Sequence, residues 1–302
     1  MTGWFAANYV LIQTSLIYIM IALSFHVVLR SGVFAFSSVG FFGLGAYTVG
    51  ILTRDGIPGW LAFFVALVGA AVLGTVLGIL LRKLRGLYLG LFTIAFNMIL
   101  IVLYRNGGEF TGGTVGIFGV PEIMPLWAVA VVVALAVLVV WRLSRSSVGR
   151  SFEALRLNED LARSSGVEVT RRRVVVFALS AVLGAAAGAL NVSAFTTVVP
   201  TTAGFHLVTL GLTMVVLGGI RSWQGAIVGA LFVALLPAWL GPFQQFQIII
   251  NGVIIVVLVV YAPGGLSEVF ARLVAWMRRR IAPVAAPEFV TAETPESKET
   301  VS

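Results

Sequence analysis

The stretch GRSFEALRLNEDLARSSGVEVTRRR, residues 149–173, is packed with Arg, Glu, Asp, Asn and Ser in a chain that is 59% hydrophobic. Long apolar runs flank it on both sides. Such a segment is either a solvated loop or a surface that a partner grips. The side of a membrane on which it lies fixes the topology of everything else.

The surrounding composition makes a membrane the right frame. A mean hydropathy of +1.04 with 11% charged residues does not fit a soluble globular domain. Several apolar runs reach the roughly 20 residues that a bilayer-crossing helix needs. Backbone polar groups in lipid must be satisfied within the segment, which favours helices, and the alternation of a membrane barrel is absent. The expected fold is therefore all-α, a polytopic transmembrane helical bundle of about nine spans, with eight to ten as the range. They fall at about 9–29, 33–52, 60–81, 86–104, 125–141, 174–197, 206–220, 224–240 and 247–262. The second and seventh are Gly-rich or short, and are candidates for broken or re-entrant helices.

Lys and Arg orient the bundle. With 142–173 in the cytoplasm, every Lys and Arg except Arg54 and Arg105 falls on the cytoplasmic side. An odd number of spans then puts the N-terminus outside and the C-terminus in the cytoplasm. The net charge of +8 is mostly a topology signal, so no nucleic-acid partner is expected. The first apolar run lacks a basic n-region and reads as a retained span. Residues 1–266 form the expected transmembrane domain. Residues 267–280 form a basic interfacial helix with Trp276 near the headgroups. Residues 281–302, rich in Pro, Glu, Thr and Ser, form a disordered cytoplasmic tail.

The interior offers little reactive chemistry. All 12 acidic residues lie outside the proposed spans, which weakens a proton- or sodium-coupled mechanism. There are no cysteines and only two histidines, His26 and His206, so no metal site is expected. TGGTVG, residues 111–116, lacks the Gly-Lys-Ser/Thr ending of a phosphate loop and reads as a turning external loop. No cofactor and no catalytic residue is expected, and energy for uphill transport must come from another chain. The pairs Gly74/Gly78 and Gly184/Gly188 read as close helix packing. For Gly40, Gly43, Gly45 and Gly50, packing and a bend that lines a pathway are near-equal readings. Asn97, Asn191, Ser193, Thr213 and Asn251 are candidates for a translocation path, each with a structural hydrogen bond as the alternative.

Wound at 100° per residue, Ser151–Ser165 places Glu153, Arg156, Glu159, Asp160 and Arg163 in one sector. Ala154, Leu155, Leu157, Leu161 and Ala162 occupy most of the other side, and Phe152 breaks the pattern by falling among the charges. Glu159 precedes Arg163 by four residues, the favourable order for a helical ion pair. Gly166 supplies a left-handed stop. The expectation is one short amphipathic helix along the cytoplasmic face.

These stretches together resemble a known family. FFGLGAYTVGIL, LRGLYLGLFTIAFNMIL followed by TGGTVGIFGVP, the segment from Gly149 to Leu190, MVVLGGIRSWQGAIVGA and YAPGGL occur in the order found in permease subunits of branched-chain amino acid ABC importers, of the LivM type. The resemblance covers about residues 30–266. It implies that 150–166 is a coupling helix seated on an ATP-binding subunit, with Glu153, Ala154, Arg156, Glu159 and Gly166 as the matching positions. The chain departs from the family pattern at Leu157, Asn158, Asp160, Arg221 and Gly264.

The resemblance further implies a multi-pass subunit of the bacterial cytoplasmic (inner) membrane, in contact with lipid. It would pair with a second permease, ATP-binding cassette subunits and an extracytoplasmic solute-binding protein. Transport would proceed by alternating access, with no ATP hydrolysis by this chain. Branched-chain amino acids or a related small neutral or zwitterionic solute are the implied cargo, with urea or short amides as the alternative within the family. From other classes, the rivals are a self-sufficient secondary carrier or channel, a membrane-embedded enzyme and a non-transporting scaffold.

Overall fold

Apolar runs interrupted by Gly, Pro and Arg set the element boundaries. The computed structural model describes residues 2–240, with Gly252 and Val253. All of these belong to the first of two units into which the chain divides, Met1–Val269 and Phe270–Ser302. The expected ninth span, Asn251, the interfacial helix and the tail lie outside the described residues, apart from the pair just named.

The chain runs as α1 (Thr2–Arg30), α2 (Ser37–Arg54), α3 (Gly59–Leu80), a 3-10 turn (Leu81–Lys83), α4 (Gly86–Asn106) and the single-turn α5 (Gly108–Thr111). After β1 (Ile117–Phe118) come α6 (Leu126–Arg145), α7 (Ser147–Leu157), α8 (Glu159–Ser164) and α9 (Val169–Phe195). Then β2 (Thr197–Val198), a 3-10 turn (Pro200–Ala203), α10 (Phe205–Gly218) and α11 (Trp223–Leu240) complete the described part. Pro58 and Pro125 sit immediately before α3 and α6, where a missing N–H and a fixed φ cost nothing.

Among the described residues, α1, α3, α4, α6 and α9 are long and apolar enough to cross a membrane, whereas Phe205–Gly218 and Trp223–Pro237 are apolar but shorter. The second expected span forms only from Ser37, after an irregular stretch that follows Gly32 at φ +74°. The expected sixth span begins five residues early, because Arg171–Arg173 are already helical in α9.

At the centre of the bundle, α9 packs against α1, α2 and α3, while α6 lies on α1 and α4 on α2. Lipid gives no hydrophobic drive for helices to associate, so close packing and polar bridges must hold them. Gly184 and Gly188 lie against the carbonyl oxygens of Ser38 and Phe42 on α2, leaving no room for a Cβ. Gly74 and Gly78 do the same against Phe177, Ala178 and Val174 on α9. Gly45 meets the carbonyl of Ala185, and Gly40 the side chain of Asn97, so at these positions of the α2 cluster close packing holds. Three serines add polar glue: Ser24 donates to the Ser180 carbonyl at 2.8 Å, and the Ser38 and Ser180 hydroxyls lie 2.9 Å apart.

α3 shows the two-faced consequence. Ala62, Phe63, Ala66, Ala70, Gly74, Leu77 and Gly78 are buried at helical spacing. Phe64, Val65, Val68, Val72, Val76 and Ile79 are exposed, an apolar face suited to hydrocarbon. At the far end of α9, β1 and β2 pair antiparallel, Ile117 with Val198 and Phe118 with Thr197.

Candidate functional site

The polar stretch folds as two helices rather than the single one expected. α7 ends at Leu157 and α8 begins at Glu159, with extended Asn158 (φ −159°, ψ 117°) between them. The Asn158 side chain accepts from the N–H groups of Asp160 and Leu161 at 3.0 and 3.1 Å. That is an N-cap, and asparagine competes well enough with the helical backbone to break it. Ser146 caps α7 in the same way, accepting from the Gly149 N–H at 3.3 Å.

The break re-aims the side chains, so the single-helix wheel fails. Phe152, the misfit on that wheel, is the anchor: it is 2% exposed and fills the space beside His26, Val140 and Leu143, leaving a cavity of only about 10 Å³. The α7 backbone at Arg156 fits against the stretch that follows α1 because Gly32 has no side chain there. Ala162 is buried and Ala154 half-buried, whereas Leu157 and Leu161 are 77% and 66% exposed. Glu153, Asp160 and Arg163 are exposed near them in sequence. Two large apolar side chains among charges form a surface with something left to bury. Gly166 closes α8 at φ +81°, with N–H bonds from Gly166 to Arg163 and from Val167 to Ala162, the left-handed stop expected there.

Glu159 faces inward rather than outward. Its Oε1 accepts from Arg163 at 2.8 Å, the expected i,i+4 pair, and lies 3.4 Å from Arg85. Its Oε2 accepts from Arg173 at 2.8 Å. Sequence reasoning missed Arg173, which it grouped with its neighbours as a topology signal. The guanidinium is buried and also donates to the carbonyls of Arg82 and Leu84, at 3.3 and 3.1 Å.

The four path candidates among the described residues do not converge. Asn97 is buried on α4 and donates to the Phe36 carbonyl at 2.8 Å, where α2 begins; its Oδ1 has no partner. Ser193 accepts from the N–H groups of Ile123 and Met124 at 3.1 and 3.0 Å, tying α9 to the approach of α6. Thr213 donates to the Thr209 carbonyl within α10. Asn191 is half-buried on α9. A cavity of about 370 Å³ opens instead between α2, α4 and α5, against Tyr47, Thr48, Ile51, Leu100, Tyr104 and Thr111. The Tyr47 and Tyr104 rings stack at 4.0 Å, and neither residue was singled out by the sequence. His26 is packed in the core and His206 is exposed. No cluster of metal-ligating side chains occurs among the described residues.

Comparison with known proteins adds a lineage to this geometry. Residues 8–263 match the family described as branched-chain amino acid transport system / permease component. The high-affinity branched-chain amino acid transport system permease protein LivM of Escherichia coli K12 is 29% identical over 288 residues, covering 83% of this chain and 68% of that one. The Salmonella typhimurium protein of the same name matches to the same extent. The ribose import permease protein RbsC of Bacillus subtilis is 31% identical over 174 residues, covering 53% of this chain and 54% of that one. No solved structure matches.

Proposed function

This chain belongs to the permease-component family of branched-chain amino acid transport systems, and on that premise we propose that it is one membrane subunit of an ATP-driven importer. A second permease, ATP-binding subunits and an extracytoplasmic solute-binding protein complete the machine. The chain spans the cytoplasmic membrane several times with α7 and α8 in the cytoplasm. It hydrolyses no ATP itself; the ATP-binding subunits supply the energy, and the permease pair exposes its path to one side and then the other.

The observation that carries this reading is the α7–α8 pair. A loop with no partner has no need of two capped helices, a buried anchor at Phe152 and two exposed leucines among charges. An ATP-binding subunit that buries Leu157 and Leu161 and pairs with Glu153 or Asp160 would grip it in register. In the plainest assignment, Glu153, Ala154 and Arg156 place the docking face, Gly166 ends it, and Glu159 holds it to the bundle. The branched-chain relatives and the absence of acidic side chains in the described apolar helices favour a small neutral or zwitterionic solute, branched-chain amino acids first. The ribose permease named above keeps sugars within the reach of related chains.

The test is to purify the tagged chain in mild detergent from its native membrane and identify its companions by mass spectrometry. Co-purification of an ATP-binding subunit and a second permease, with the ATPase lost on removing residues 150–166, supports the reading. A chain that comes alone and still supports uptake in ATP-free vesicles would instead be a secondary carrier or channel.

A further inference from the structure

Among the described residues, the side-chain ion pairs that join α8 to the rest of the fold run through Glu159, to Arg85 and to Arg173. Arg173 lies in the first turns of α9 with only 8% of its surface exposed. One nitrogen of its guanidinium holds Glu159 at the start of α8, and the other holds the carbonyls of Arg82 and Leu84, around the turn that joins α3 to α4. Three segments distant in sequence meet on one rigid, planar fork. Its donors are fixed relative to each other, so a shift of the carboxylate cannot be absorbed without moving a carbonyl or the α9 backbone.

We propose that Arg173 is the positioning residue through which a displacement of α8 reaches α9 and the α3–α4 turn together. This rests on the importer reading above, and it names the partner through which Glu159 holds α8 to the bundle. The neighbouring arginines do different work. Arg85 and Arg163 are half-exposed at the side chain, and both approach the other oxygen, Oε1. Arg163 pairs within α8, and Arg85, which stands in the α3–α4 turn itself, approaches Glu159 only to 3.4 Å; of the three, Arg173 alone hydrogen-bonds both Glu159 and the carbonyls of that turn.

The α7 half of the polar stretch is tied elsewhere, by Phe152 beside α1 and α6. Asn158 separates the two halves at an extended residue with no helical continuity. Pushing the docking face therefore loads two distinct attachments. The one through Arg173 is polar and directional, whereas the one through Phe152 is a packing contact.

The experiment uses the assembled complex in proteoliposomes and reads solute taken up per ATP hydrolysed. Arg173→Met keeps the aliphatic bulk and removes every donor. It should retain the ATP-binding subunit and hydrolysis while uptake per ATP falls about tenfold, within the range seen for residues along a coupling path. Arg173→Lys, with charge and three donors, should recover much of that ratio. Arg171→Gln, at an exposed side chain two residues away, should leave the ratio unchanged. A wild-type ratio in Arg173→Met overturns the inference while the importer reading stands. Should Arg173→Met fail to insert, Glu159→Gln decides: a lowered ratio supports the linkage and a wild-type ratio sinks it. A wild-type complex without any ATP-binding subunit that still transports removes the importer reading and this inference with it.

Discussion

Gly188 of α9 lies directly against the carbonyl oxygen of Phe42 on α2, so close that a methyl group at position 188 would overlap it. The contact is backbone to backbone and neither partner can rotate away. Gly188→Val should therefore push the two central helices apart and cost about 3 kcal/mol or more. A methyl group added at Gly69 on α3 would meet no neighbouring atom within 4 Å, and the backbone there is ordinary helix. Gly69→Ala should be neutral or up to about 1 kcal/mol stabilising. Thermal unfolding of the two variants in detergent separates a packing glycine from an incidental one, and equal midpoints would refute the distinction.

Asn97 is predicted to hold the start of α2 rather than to touch solute. Asn97→Ala removes the bond to the Phe36 carbonyl and should cost about 1 kcal/mol of stability. Thr93→Val should act alike, because the Thr93 hydroxyl accepts from the Phe36 N–H at 3.0 Å. Uptake kinetics check this. The solute KM should stay within about twofold of wild type in both, since uniform substrate binding is untouched. A large rise in KM with an unchanged unfolding midpoint would place Asn97 on the path.

Leu157 and Leu161 carry the docking prediction. Both are largely exposed, so Leu157→Asp and Leu161→Asp should leave the stability of the chain within about 0.5 kcal/mol. Each should weaken retention of the ATP-binding subunit during purification, by about tenfold if the leucine is a central contact. Full retention in the double variant would show that the partner grips elsewhere.

Phe152 should behave in the opposite manner. Phe152→Ala opens a hole beside α1 and α6 and should cost about 3 kcal/mol or more. The loss should be local, seen as faster tryptic cleavage at Arg150 and Arg156 in inside-out vesicles. Unchanged cleavage would mean that Phe152 does not anchor α7.

Much of this was legible because membrane helices announce themselves by length and apolarity. The described helices α1, α3, α4, α6 and α9 lie where the apolar runs placed them, whereas α2 and α10, the doubtful pair, form unbroken but shorter helices of 18 and 14 residues. The polar stretch was harder. A helical wheel assumes continuity, and Asn158 ends it by capping the next helix with its own side chain. The wheel held one clue, since a phenylalanine among charges had no reason to be there unless the helix sat differently. Arg173 gave no signal at all. It is one of three consecutive arginines, and only the fold shows that Arg171 faces solvent while Arg173 is buried against Glu159.

The short strand pair has a mechanical meaning. α9 rises from α8 to β2 over 27 residues, about 40 Å of nearly incompressible rod. Its far end is stitched by β1 against β2, by the Val120 N–H to the Thr196 carbonyl at 3.1 Å and by Ser193 under Ile123 and Met124. Its near end is held by Arg173, to the Glu159 carboxylate and to the carbonyls of Arg82 and Leu84, and by Gly78 of α3 packed against Val174. A rod pinned at one end and pushed at the other swings about the pin, so the stitched end serves as a fulcrum. Ångström-scale work at α8 would then appear along α9 as a graded tilt, largest beside α3 and vanishing at the strands.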